Sequence, residues 1–402
     1  MLEGFLTEKF GYYREAIESK NMTEARFNNL DFLRAFALLA GVLLHALSLY
    51  LEPIDGSEPR PLAAILFIWI HSWRMPLFMV LAGFFTCLSL SKRSTSSYAL
   101  NRLVRLGGPL ILLWVAIPAV DESAAQMFKS PDFISWIMTG GPFTLRLDHL
   151  WFLYYLLIFY ALVLAVKALT PRIFELMVNL KLNFLILSFF WLPIITLFAP
   201  WAKPIGGVFS EVPTTFGELK VGSMLFMLAF FIIGMQLFNN QTILHRLQAK
   251  SFWITAIICC SFVPIGLMAW GIMKDSPFVF PSTLEMWVVN ALSTCASLFM
   301  VLAFIGASSR YILASGPILS WLVKLSYPTY VFHVVFVYSI GALLLLSGLN
   351  ATLVVIGSFF SGVIGSLVIY YLLVWYTPLD WVFNGYKNSR FKLKIIGSTN
   401  NS

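Results

Sequence analysis

Four of the five histidines in this 402-residue chain lie in stretches otherwise built of Leu, Phe, Val and Ile. His45, His71, His149 and His333 share those stretches with Asp31, Arg34, Arg74, Asp148 and Lys324. An ionisable side chain inside a hydrocarbon layer is costly (roughly 2.5–3.5 kcal/mol for Arg at a helix centre by some scales), so such groups usually mark function. The chemistry this set offers is proton abstraction by an imidazole, beside arginines able to hold an anion.

Spacing makes the set more specific. At about 100° per residue, Arg34 and His45 fall within roughly 20° of each other on one helix, about 16 Å apart along its axis. Asp31 shares that stripe. A second helix running the opposite way carries His71 and Arg74 some 14–18 Å below the outer surface, and His45 sits about 9 Å below it. One cavity could reach all three. Arg102 and Arg105, one turn apart just inside, could join Arg34 in holding several phosphates. Each residue also has a plainer role open to it. A lone intramembrane histidine often only bonds a neighbouring helix, Arg34 could snorkel to the inner headgroups, and Arg102 with Arg105 could be orientation signals. His245 falls in a basic inner loop and reads as solvated.

The elements that position these groups follow from composition. Hydrophobic residues make up 59% of the chain and charged residues 11%, with mean hydropathy +0.82. Soluble domains carry about 25% charged and 45–50% apolar residues, so a soluble globular protein is excluded, as is a disordered one. Four cysteines in this length exclude a disulfide scaffold, and no Cys/His metal spacing occurs. Cys87, Cys259, Cys260 and Cys295 read as small hydrophobes buried in helices. The fold class is an all-α polytopic membrane protein, with spans near 32–51, 62–90, 106–120, 149–169, 182–199, 221–238, 252–273, 284–306, 317–346 and 351–376. The third is short, and the ninth is long enough to contain a broken or re-entrant start.

Residues 1–29 have no apolar core of signal-peptide length. Leu2, Leu6, Phe10, Tyr13 and Ile17 at helical spacing suggest an interfacial helix there. A transmembrane domain then covers 30–380, and 381–402 form a basic tail. "FISWIM" at 133–138 could be a further short helix at the interface. With the N-terminus inside, 18 Lys and Arg fall in inner segments, six in outer ones and three within helices. That ratio predicts cytoplasmic termini and an even number of crossings. The same accounting absorbs the net charge of +8 without a clustered basic face, so no nucleic-acid partner is expected.

Five segments carry a resemblance to a known family. "NLDFLRAFALLAGVLLHALSLY" at 29–50 resembles the first helix of the acyltransferase-3 family of membrane acyltransferases, and "IHSWRMPLFMVLAGFF" at 70–85 resembles its second. "NRLVRLGGP" at 101–109, "HLWFLYYL" at 149–156 and "LSYPTYVFHV" at 325–334 are similar to three further blocks, in the same order. The His71–Pro76 and His149–Leu153 runs, with "TPLDWVFNG" at 377–385, look most like the glucan biosynthesis protein C branch. Met79 and Ala82 depart from the commoner Phe and Ser of the second block.

The resemblance implies ten helices in the bacterial inner membrane, a cytoplasmic acyl-CoA donor (succinyl-CoA or acetyl-CoA) and a carbohydrate hydroxyl as acceptor. It implies no bound cofactor and no metal, membrane lipid being the surrounding partner. By that resemblance His45 is the candidate base and Arg34 a donor-orienting group. Arg102 and Arg105 are candidates for the CoA phosphates. Asp31, His71, Arg74, His149, Trp151 and His333 are supporting or acceptor-side candidates. The expected activity is transfer of a short acyl group to an extracytoplasmic glycan such as a periplasmic glucan. A transporter or flippase for an anionic or lipid-linked substrate is the rival reading, since it too needs intramembrane His and Arg. The absence of internal repeats speaks against it.

Overall fold

A computed structural model describes residues 27–50, 61–113, 147–179, 212–240, 242–273, 283–312 and 316–385, with Ser389 and Phe391. Among the described residues there is no β-strand. The helices are α1 (Asn28–Ser48), α2 (Pro61–Lys92), α3 (Thr95–Arg102), α4 (Gly108–Leu113), α5 (Trp151–Leu169), α6 (Pro171–Asn179) and α7 (Val221–Asn239). They continue as α8 (Thr242–Leu247), α9 (Lys250–Met273), α10 (Thr283–Tyr311), α11 (Pro317–Leu346), α12 (Ala351–Ile369) and α13 (Leu379–Asn384). Among the described residues, seven spans are long and apolar enough to cross a membrane, drawn from α1, α2, α5, α7, α10, α11 and α12 with its π-helical continuation to Val374.

Of the ten expected spans, 182–199 lies outside the described residues, as does 106–120 beyond Leu113. So do residues 1–26 of the expected interfacial helix, and the expected helix at 133–138. The ninth expected span is one continuous helix, α11, with Pro328 inside it and no broken or re-entrant start. A proline removes one backbone bond, which the turns on either side of it tolerate when the helix is packed in a bundle.

The outer surface is apolar at helical spacing. Helix α12 exposes Leu353, Ile356, Phe360, Ile364 and Val368, and α9 exposes Ile254, Ile258, Phe262 and Ile265. Such stripes would be a liability in water and are the solvated face in lipid. Of the four cysteines, Cys87 is buried, but Cys259 is exposed and Cys260 and Cys295 are half-buried. The exposed one lies beside the lipid-facing stripe of α9, where a thiol meets no polar penalty.

Lipid tails give no hydrophobic drive between helices, so small residues and hydroxyls do the joining. Gly83 and Gly234 face each other across α2 and α7, where a Cβ on either would collide with the other helix's backbone carbonyl, at Phe231 or Val80. Helix α1 packs against α2, α10, α11 and α12. Within α2, Pro76 leaves the Ser72 carbonyl without its helical donor, and the Ser297 hydroxyl of α10 donates to that carbonyl instead. Trp73 is fully buried, stacked on Phe36 at 5.4 Å and tilted against Phe304 at 4.6 Å. These contacts fix the rotation of α2 and with it His71 and Arg74.

Candidate functional site

Polar groups collect at two levels along α1. At the end that carries Arg34, a cavity of about 420 Å³ lies between α1, α2, α5 and α11, lined by Arg34, Arg102, Arg105 and Lys324. Arg34 Nη2 meets Asp31 Oδ1 at 3.1 Å. The other cations rest on neutral groups. Arg105 Nε and Nη2 donate to the Phe383 carbonyl at 3.2 and 2.8 Å. Arg102 Nη2 donates to Ser89 Oγ at 3.3 Å, its guanidinium lying over the rings of Tyr98 and Tyr160. Lys324 Nζ sits 4.3 Å from the centre of the Trp375 ring. Neutral acceptors orient a cation without cancelling its charge, so this cavity suits a ligand with several negative charges. A π-helical turn, Leu103–Gly107, separates α3 from α4 and carries Arg105.

Tyr330, Phe78 and Leu38 line the inner part of this cavity. Next to Tyr330 lies the second level. His45 and His333 rings are 5.2 Å apart, His333 and His149 5.6 Å, and His149 and Tyr330 5.8 Å. Two of these imidazoles are pinned by backbone. His149 Nε2 donates to the Val331 carbonyl at 3.0 Å, and His333 Nδ1 donates to the carbonyls of Tyr330 and Thr329 at 2.8 and 3.0 Å. Each therefore keeps a lone pair on its other nitrogen, and His149 Nδ1 and His333 Nε2 have no partner among the described residues. His45 Nδ1 lies 3.1 Å from the Tyr338 hydroxyl, which is 3.0 Å from Ser48 Oγ.

Arg74 joins the two levels. Its guanidinium lies against Gly41, where any Cβ would collide with Nη1. Gly41 falls between Leu38, on the cavity wall, and His45, so glycine is the residue that admits this cation to the helix surface. Among the described residues no carboxylate pairs with Arg74, and its Nε has no acceptor.

A family model described as an acyltransferase domain, of the acyltransferase-3 type, matches residues 27–372. The chain belongs to the acyltransferase-3 family. It is 23% identical over 288 residues to the glucans biosynthesis protein C of Escherichia coli O157:H7, covering 65% of this chain and 72% of that protein. The same identity holds over 296 residues of the protein so named in Escherichia coli O9:H4 (strain HS), with the same coverage. No solved structure matches. Family membership and the apolar helices together make this an integral membrane acyltransferase.

Within this acyltransferase the structure gathers most of the sequence candidates. Arg34, Arg102 and Arg105 share the cavity, and His45, His149 and His333 share the cluster with Arg74 alongside. His71 stands one turn from Arg74, its ring 5.5 Å from Phe67, with Nδ1 unpartnered among the described residues. Asp31 serves Arg34. Trp151 is buried, its ring 5.7 Å from Tyr155 and 6.3 Å from Phe152 in the aromatic packing of α5. The side chain of Asp148 lies outside the described residues.

Sequence reasoning passed over Tyr327, Tyr330, Tyr338 and Ser48. Tyr327 donates to the Arg105 carbonyl and Tyr330 to the His149 carbonyl, so α11 clamps both levels. Tyr327 and Tyr330 were in view within the "LSYPTYVFHV" block. Nothing local marks Tyr338, an ordinary aromatic residue of an apolar span until α1 comes against it.

Proposed function

We propose that this acyltransferase moves a short acyl group from cytoplasmic acyl-CoA to a hydroxyl of an extracytoplasmic glycan, a periplasmic glucan being the leading case. The carrying observation is the succession along α1 of a multiply basic cavity, an arginine that no carboxylate pairs among the described residues, and a histidine cluster, spanning Arg34 to His45. The CoA phosphates lie on Arg102, Arg105 and Lys324, with Arg34 turned to the arm by Asp31. The thioester then passes Tyr330 and reaches His45.

There the acceptor oxygen attacks the thioester carbonyl carbon while the His45 imidazole takes the hydroxyl proton. The new C–O bond forms as the C–S bond breaks. The departing thiolate takes the proton from the imidazolium, leaving an ester and free CoA thiol. His149, His333 and His71 present acceptors to the other hydroxyls of a sugar. Arg74 favours succinyl over acetyl, because a buried cation with no counter-ion among the described residues gains most from an acyl group that brings its own carboxylate. The name of the Escherichia coli relatives supports a glucan acceptor, and the cation at the inner end supports a bacterial inner-membrane protein with the Arg34 end cytoplasmic.

The test is mass spectrometry of envelope glycans from cells with the wild-type gene, without it, and with His45→Ala. Loss of a succinyl substituent in both of the latter is expected. Unchanged O-acylation in the His45→Ala cells, with the protein present in the membrane, overturns the assignment.

A further inference from the structure

Three contacts around His45 close into a ring. Ser48 Oγ donates to the His45 carbonyl at 2.7 Å, Ser48 Oγ and Tyr338 Oη are 3.0 Å apart, and Tyr338 Oη and His45 Nδ1 are 3.1 Å apart. A hydroxyl has one proton to give. Ser48 has spent its proton on the carbonyl, so the hydrogen bond between Ser48 and Tyr338 requires the tyrosine to donate. Tyr338 has then spent its own, and its oxygen meets His45 Nδ1 as an acceptor. That contact is a hydrogen bond only if the proton of the neutral imidazole is on Nδ1. The lone pair is left on Nε2.

From this we infer that Tyr338 and Ser48 are positioning residues that hold His45 in its Nδ1–H tautomer, with Nε2 as the basic atom. The assignment of His45 as base rests on the proposed function; the tautomer does not. The carbonyl at the end of the chain belongs to His45 itself, so ring orientation and backbone are tied together one turn before α1 ends at Ser48. The arrangement also serves the charged state. When Nε2 takes a proton, the Nδ1–H keeps its acceptor, and the cation forms without moving any heavy atom. His149 and His333 reach fixed tautomers through backbone carbonyls, whereas His45 depends on a side chain from α11, and that makes its tautomer open to mutation.

The experiment is nitrogen NMR of the full-length protein in lipid nanodiscs, with ¹⁵N-labelled histidine and the His45 resonances assigned by their loss in His45→Gln. The expected wild-type signature is a protonated Nδ1 and an unprotonated Nε2. Tyr338→Phe and Ser48→Ala should both mix the two tautomers, and Ser48→Thr should retain one. In acyl transfer Tyr338→Phe should lower kcat about tenfold with the KM for acyl-CoA unchanged, and the mixed His45 tautomers in the same folded sample separate this from a loss of active protein. A protonated Nε2 in the wild type overturns the inference, as does an unaltered kcat in a variant whose tautomers are mixed. Should Tyr338→Phe fail to fold, Ser48→Ala gives the same readouts. Wild-type protein with the expected NMR signature but no acyl transfer would overturn the function and leave the tautomer assignment standing.

Discussion

The basic cavity and the histidine cluster are neighbours on α1, yet they are built on opposite plans. In the cavity, Arg102, Arg105 and Lys324 rest on a hydroxyl, a carbonyl and an indole ring, which steer them while leaving their charge intact. In the cluster, His149 and His333 each have one nitrogen tied to backbone and the other left as an acceptor. The first region keeps charge available for binding, and the second keeps lone pairs available for protons. If the proposed function holds, binding and chemistry divide between these two regions, and mutations should divide with them.

The largest effect should come from His45→Ala: loss of a general base typically lowers turnover by about 10²–10⁴-fold. Steady-state kinetics in nanodiscs should put that loss in kcat, with the protein still inserted. A fall confined to KM would move His45 into the binding region. Next, Arg102→Gln should raise the KM for acyl-CoA about tenfold, the scale of one charge-assisted hydrogen bond, with kcat nearly kept. Added salt should weaken donor binding in the wild type more than in this variant, because the wild type has one more cation to be screened. A drop in kcat alone would blur the division.

Arg74→Gln sharpens the comparison at the junction. Competition between succinyl-CoA and acetyl-CoA should shift toward acetyl several-fold, the order expected for one charge-assisted contact to the acyl carboxylate. An unchanged ratio would remove Arg74 from acyl selection. The smallest effect belongs to Glu218, in the loop before α7. Its ion pair with Lys220 and its bonds from the Thr214 hydroxyl and N–H hold its carboxyl down at about 2. A lowered carboxylate pKa stabilises the fold above the ordinary value near 4.5, and that contribution is lost only as pH falls toward about 2. Glu218→Gln should therefore leave the pH–activity profile between about pH 5 and 8 unchanged. A shift there would tie this loop to the histidine cluster.

Much of the scaffold was legible because helical periodicity is local. The stretch 317–346 reads as a span and is α11, and 351–376 is α12 with its π-helical continuation. The stripe of Arg34 and His45 needed only the helical repeat. The immediate setting of Trp151 was not legible in this way. It adjoins His149 in sequence, but the change from a 3₁₀ turn to α-helix at residue 151 sends it into the aromatic packing of α5. The ninth span, long enough by sequence to contain a broken or re-entrant start, is one continuous helix that absorbs Pro328 within its packing.

By itself, then, the sequence determined that this chain lives in a membrane, which residues are costly there, and which of them share a helix face. These properties depend on composition and on neighbours within a few turns. The tertiary structure decided what each costly residue touches. Arg105 finds the Phe383 carbonyl 278 residues away, His149 finds that of Val331 182 residues away, and His45 finds Tyr338 293 residues away. Hydrogen-bond direction, tautomer and counter-charge are set by such partners, and no local periodicity encodes a partner on another helix.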